Sequence, residues 1–158
     1  MKKVFFVVAA IMLFGFVLKA QTTVYKWEKY GIEFAVPKTH EILKNQADEF
    51  ESGDNLTWLQ MFPYLDVTEQ TAQGMVEKIA DEKNFTIEEE GAYNSGKYDG
   101  YWIKSKSEKY PEWEYWLIGF IDPNSPTNFY TIIWWKKGDK DAYDIAYNMS
   151  YSFKKMNR

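Results

Sequence analysis

The sequence predicts an α+β fold, an α/β/α sandwich in which a central, mainly antiparallel meander sheet lies between two main helices. Three observations predict it. Residues 113–135 read as two strands, W-E-Y-W-L-I-G-F-I and F-Y-T-I-I-W-W, joined by a proline-bearing loop, and neither strand has a polar side. Tyr115, Leu117 and Ile121 share one face and Trp116, Ile118 and Phe120 the other; in the partner strand Phe129, Ile133 and Trp135 oppose Tyr130, Ile132 and Trp134. Side chains alternate across a strand, so two apolar faces mean that both are covered. Second, two segments place apolar residues along a single helical stripe: Ala72, Met75, Val76, Ile79 and Ala80, then Ala142, Ile145, Ala146 and Met149. Third, the other strand-like segments sit on either side of these. One helix on each face is the economical cover for the hairpin.

The elements follow in order. Residues 1–20 have the form of a secretory signal peptide: Lys2 and Lys3, an apolar run over 4–18, and Ala20 before Gln21. That run is shorter than the ~20 residues that span a bilayer. One domain is expected over 21–158. Ile32, Phe34 and Val36 alternate with Glu33 and Ala35 as a one-sided strand, which Gly31 precedes with a bend and Pro37 ends. Residues 40–43 suggest a short returning strand. Residues 45–55, with Asp48, Glu49, Glu51 and Asp54, read as an exposed loop. Residues 56–64 form a strand with Leu56, Trp58 and Phe62 on one face and Leu59 and Met61 on the other.

Asp66 and Glu69 have the spacing of a capping box for the first helix, which should fade near Lys83 and Asn84. Residues 85–90 form a weak strand, its acids guarding an edge. Asn94-Ser95-Gly96 reads as a turn. In 101–107, Tyr101 and Ile103 face the core and Trp102, Lys104 and Lys106 the other way. Asp139 opens the last helix, and a short tail, Tyr151-Ser152-Phe153, follows it.

Three stretches carry a resemblance: the opening Y-G-I-E-F-A-V-P, the step from L-T-W-L-Q-M to T-A-Q-G-M-V-E-K-I-A, and the closing D-I-A-Y-N-M-S-Y-S-F-K. In this pattern of strands and helices the chain resembles the PsbP-like superfamily, over the whole of 21–158. The resemblance implies an α/β/α sandwich and non-enzymatic binding or assembly work. It implies no site residue.

Composition narrows the function. Loss of the leader would remove Lys2, Lys3 and Lys19 and no acid, taking the net charge from −4 to −7. Nucleic acid and anionic membranes would repel such a chain, and no stable membrane insertion is expected once the leader is cut. Without cysteine there is no disulfide, thiolate metal site, cysteine nucleophile or lipid-bearing cysteine. Stability must come from a core supplied by the aromatic residues, 19% of the chain. His40 is the single histidine, and no G-x-S-x-G elbow accompanies it, so a surface or turn role is expected. The acids around Asp139 fit helix capping better than a calcium loop. No cofactor motif is present.

Three aromatic residues fit the core poorly and are the candidate binding residues: Trp102, which shares its face with lysines, and Tyr110 and Trp113, which flank Pro111 beside Glu108, Glu112 and Glu114. The two helices spend their stripes on the core, which leaves this loop as the expected surface, with its acids favouring a polar or cationic partner. Trp116 and Trp134 are expected inside the core. The sequence therefore predicts a secreted or periplasmic binding or assembly domain without enzymatic activity, its partner a protein or a glycan of the envelope. The alternative is an envelope hydrolase working through paired carboxylates.

Overall fold

The computed structural model describes residues 21–65, 71–94, 99–121 and 128–156. The element order is β1 (Thr22–Trp27), β2 (Ile32–Pro37), β3 (Glu41–Asn45), β4 (Phe50–Gly53), β5 (Thr57–Tyr64), α1 (Ala72–Glu82), β6 (Phe85–Asn94), β7 (Asp99–Ser107), β8 (Trp113–Ile121), β9 (Asn128–Lys136), α2 (Lys140–Ser150) and β10 (Lys154–Lys155). A seven-stranded sheet runs β3-β4-β5-β9-β8-β7-β6, and a three-stranded sheet runs β1-β2-β10. All pairings are antiparallel. The predicted hairpin, β8–β9, lies at the centre of the larger sheet, so the expected α+β sandwich is the architecture.

Each face of the large sheet has its own core. On one, Leu117, Ile132 and Ile103 meet Met75, Val76 and Ile79 of α1. On the other, Trp116, Phe120, Phe129, Ile133 and Trp135 meet Ala142, Ala146 and Met149 of α2 together with Ile32, Phe34 and Val36 of the small sheet. Among the described residues, the second face is thus covered by a helix and a sheet and the first by a helix.

Local sequence explains the joints. Gly31 adopts a left-handed conformation (φ 64°) between a single 3-10 turn and β2, as the chain reversal there requires. Asp139 caps α2 by accepting from the Ala142 amide at 3.0 Å. Thr71 caps α1, its hydroxyl accepting from the Gly74 amide at 3.1 Å; the predicted capping box at Asp66 and Glu69 lies outside the described residues, as do the leader and part of the turn at Asn94-Ser95-Gly96. The acids Glu88, Glu89 and Glu90 are exposed on β6, an edge strand, as expected.

Two expectations are corrected. Residues 45–55 are not one exposed loop, because Phe50–Gly53 is a strand with Phe50, Ser52 and Gly53 buried. Its polar look comes from small residues that pack under larger neighbours. His40 is neither a surface nor an open turn residue. It is 8% exposed, with Nδ1 3.1 Å from the Ser52 hydroxyl and Nε2 2.7 Å from the Thr57 hydroxyl. One ring nitrogen donates and the other accepts, so a neutral imidazole is fully satisfied between two hydroxyls that rotate to suit.

Candidate functional site

A cleft of about 1220 Å³ opens on the α1 side of the large sheet. Its origin is geometric. A helix is ~10 Å wide, whereas seven strands at ~4.8 Å spacing extend about 29 Å. α1 packs mainly on β6, β7 and β8; among the described residues Ile132 and Tyr64 still reach its core, but the part of that face around Trp58 and Trp134 is left open.

The floor is a row of aromatic rings running across the strands. Trp58 of β5 pairs with Trp134 of β9, and Trp134 with Tyr115 of β8. The two indoles are parallel to within 3°, with centroids 5.7 Å apart. Tyr115 continues the row at 6.3 Å from Trp134 and 4.8 Å from Phe85. Gly53 sets the lean of Trp58. A Cβ on Gly53 would lie 2.3 Å from Trp58 Cδ2, so the indole rests on bare backbone of the neighbouring strand. Only glycine permits that approach. Burial, with the charge of Glu112, pushes the Tyr115 hydroxyl up to about 12, so it stays protonated.

The rim is polar. Gln60, Lys83, Asn84, Thr86, Glu108 and Lys109 line it with Tyr110 and Trp113. The connection that carries the last four is tied down. The Lys109 amide donates to the Ser107 hydroxyl at 3.3 Å, the Trp113 amide to the Tyr110 carbonyl at 3.2 Å, and the Lys137 amide to the Glu112 carbonyl at 2.9 Å. Lys109 Nζ sits 5.0 Å from the Tyr110 ring centroid, a cation–π arrangement. The acids expected to dominate this end are balanced by Lys83 and Lys109, so the rim has mixed charge.

Of the predicted residues, Tyr110 (47% exposed) and the half-buried Trp113 line this cleft together. Trp102 does not join them. It is half-buried on the opposite face of the sheet, in a separate cavity beside α2. Trp116 is buried as expected, but Trp134 is only partly so: it forms the cleft floor, beyond the reach of α1 that buries Ile132 on the same face of β9. Trp58 and Trp134 escape a sequence reading as site residues, since a two-sided apolar strand implies cover on both faces. Tyr143, Tyr147 and Tyr151 escape it too, although their spacing of four residues marks a second row on α2 beside the buried stripe.

Catalytic groups do not converge here. Glu108 is the single carboxylate lining the cleft and Glu89 the single one lining the cavity beside α2, among the described residues. Among those residues, no group of three or more His, Asp or Glu side chains could hold a metal ion.

No protein-family profile matches the chain, and no curated protein matches it in sequence. Solved structures do match in shape. The Ran-binding protein Mog1p of Saccharomyces cerevisiae aligns with a TM-score of 0.59 at 8% identity, over 87% of this chain and 97% of that one. Cyanobacterial PsbP (CyanoP) from Synechocystis aligns with a TM-score of 0.60 at 13% identity, over 88% and 95%. A point mutant of Mog1 gives 0.58 at 9%, over 87% and 97%. The chain therefore has a PsbP/Mog1-like fold.

Proposed function

We propose that this protein is an exported, non-enzymatic binding or assembly domain that holds a segment of a partner protein in the cleft beside α1. The observation that carries this reading is the parallel Trp58–Trp134 pair at the base of an open cleft. Large rigid rings on sheet strands give contact area at low entropic cost, and a polar rim orients what lies on them. The tied connection over 107–113 adds Tyr110 and Trp113 on a firm base. That a yeast protein of the same fold is described as Ran-binding supports the choice of a protein partner. The lack of a facing carboxylate pair in the cleft gives the hydrolase reading no support.

The test is a paired Tyr110→Ala and Trp113→Ala variant, with Trp58→Ala as a second. Each is assayed by pull-down from envelope extract and, in parallel, on a glycan array. The paired variant should keep its fold and lose the partners that the wild type captures. If it stays folded and retains all of them, the cleft is not the site. Loss of array binding alone would move the ligand class to glycans.

A further inference from the structure

The cavity that contains Trp102 is small, about 160 Å³, and its walls are aromatic. Trp102 and Trp116 come from β7 and β8, and Tyr143, Tyr147 and Tyr151 from α2 and its C-cap. The tyrosines are 39%, 43% and 62% exposed. Ala142, Ala146 and Met149 seat the helix, and the tyrosines form a second row beside that stripe, each resting one side on a core ring and leaving the other exposed. Trp102 lies against Gly91 of the neighbouring strand, where a Cβ would stand 3.1 Å from its indole nitrogen.

The walls meet at angles. Trp116 crosses Tyr143 at 60° and Tyr147 at 59°, with centroids 5.5 and 5.9 Å away. Tyr143 and Tyr147 stack on each other at 28° and stand across Trp116, so the lining is a packed aromatic cluster and not a single flat slot. Each ring face is the negative pole of a quadrupole and attracts a cation.

The charges at the cavity are unequal. Lys104 pairs with Glu114 at 3.5 Å and is neutralised there. Glu89 stands opposite Lys104 in the β6–β7 register and has no ion pair among the described residues. A β-bulge between Ile87 and Glu89 produces this placement: Glu88 turns to Lys106 at 3.1 Å, and Glu89 takes the position across from Lys104. Bulges re-aim side chains in this way and concentrate beside sites.

We propose that this cavity is an aromatic cage for an alkylated ammonium group, a quaternary one in preference to a primary one. The rings supply cation–π attraction and Glu89 the counter-charge. A primary ammonium would have to exchange a tight hydration shell for one carboxylate and a few phenols; a trimethylammonium head has no N–H to satisfy. Size agrees, since a cavity of about 150 Å³ admits a benzene-sized guest.

The test is a calorimetric titration of the protein with choline, and with the uncharged analogue in which carbon replaces the nitrogen. Choline should bind saturably and about tenfold tighter than the carbon analogue. Trp102→Ala and Tyr147→Ala should each weaken it about tenfold, and Glu89→Gln several-fold with an unchanged denaturant midpoint. Co-sedimentation with phosphatidylcholine against phosphatidylglycerol vesicles then tells whether the head group comes from a lipid or from solution. Equal binding of choline and its carbon analogue would overturn the cage, as would absence of saturable choline binding at tens of millimolar. Choline binding that survives Glu89→Gln, Trp102→Ala and Tyr147→Ala unchanged would place it elsewhere and overturn the assignment as well. Should the aromatic variants fail to fold, the carbon analogue and Glu89→Gln still decide.

Discussion

His40 lies inside the protein between Ser52 and Thr57, and its ring nitrogens already have their hydrogen bonds. Burial lowers its pKa from the ordinary 6.5, with the nearby Asp54 charge opposing in part. The unfolded chain therefore takes up this proton at a higher pH than the native one. Stability should be intact above about 6.5 and fall as the pH drops below it, until the native group also titrates. Asp54 behaves differently. Burial alone would raise its pKa, but the amides of Leu56 and Thr57 and the Thr39 hydroxyl outweigh this and lower it from 3.8. Its contribution is lost only further down, as the pH falls below that value. Denaturant midpoints of wild type and His40→Asn between about pH 8 and pH 5 separate the two groups. The wild type should lose more stability over that interval than the variant, and parallel curves would contradict the buried neutral imidazole.

Among elements, α1 is seated closely on the sheet at a glycine. A Cβ on Gly119 of β8 would lie 2.4 Å from Met75 Cε and 2.7 Å from Val76 Cγ1. Met75 can swing away, but a β-branched Val76 cannot without moving its turn. Gly119→Ala should cost about 1–3 kcal/mol through overpacking, against a smaller gain from removing glycine in a strand. A lowered denaturant midpoint is the expected result, and an unchanged one would mean that α1 rides higher on the sheet. The central strands and both helices were legible because their periods are long and uninterrupted. β4 was not, since Phe-Glu-Ser-Gly shows one large apolar residue and its burial depends on Trp58 lying over Gly53. Trp134 shows the related limit of face parity. Alternation tells which face a side chain occupies, but what covers that face depends on where a distant helix lands. For the candidate residues the same reasoning joined Tyr110 to Trp113, neighbours in one connection, and could not tell that Trp102 points to the other side.

At the scale of the molecule, the two faces of the sheet divide the work. Among the described residues, the face under α2 and the small sheet carries the small aromatic cavity, and the face under α1 carries the open cleft. If the protein is exported as proposed, intact-mass analysis of material from its own host should find a species beginning at Gln21. A soluble species beginning at Met1 would end that part of the reading.

The small sheet also fixes an order of events. β2 is paired on one side by β1, a few residues before it, and on the other by β10, near the end of the described residues. The Ser152 hydroxyl receives the Ala35 amide across 117 residues at 2.9 Å, and Phe153 stacks on Phe34 at 5.9 Å. Closing so long a loop is entropically costly and slow compared with forming the local hairpins. An emerging chain can pair β1 with β2 early, yet Phe34 lacks part of its cover until Phe153 arrives. The core is thus completed only after nearly all of these residues have been delivered. On the proposed export route, a chain still threading through a pore would not yet have locked shut.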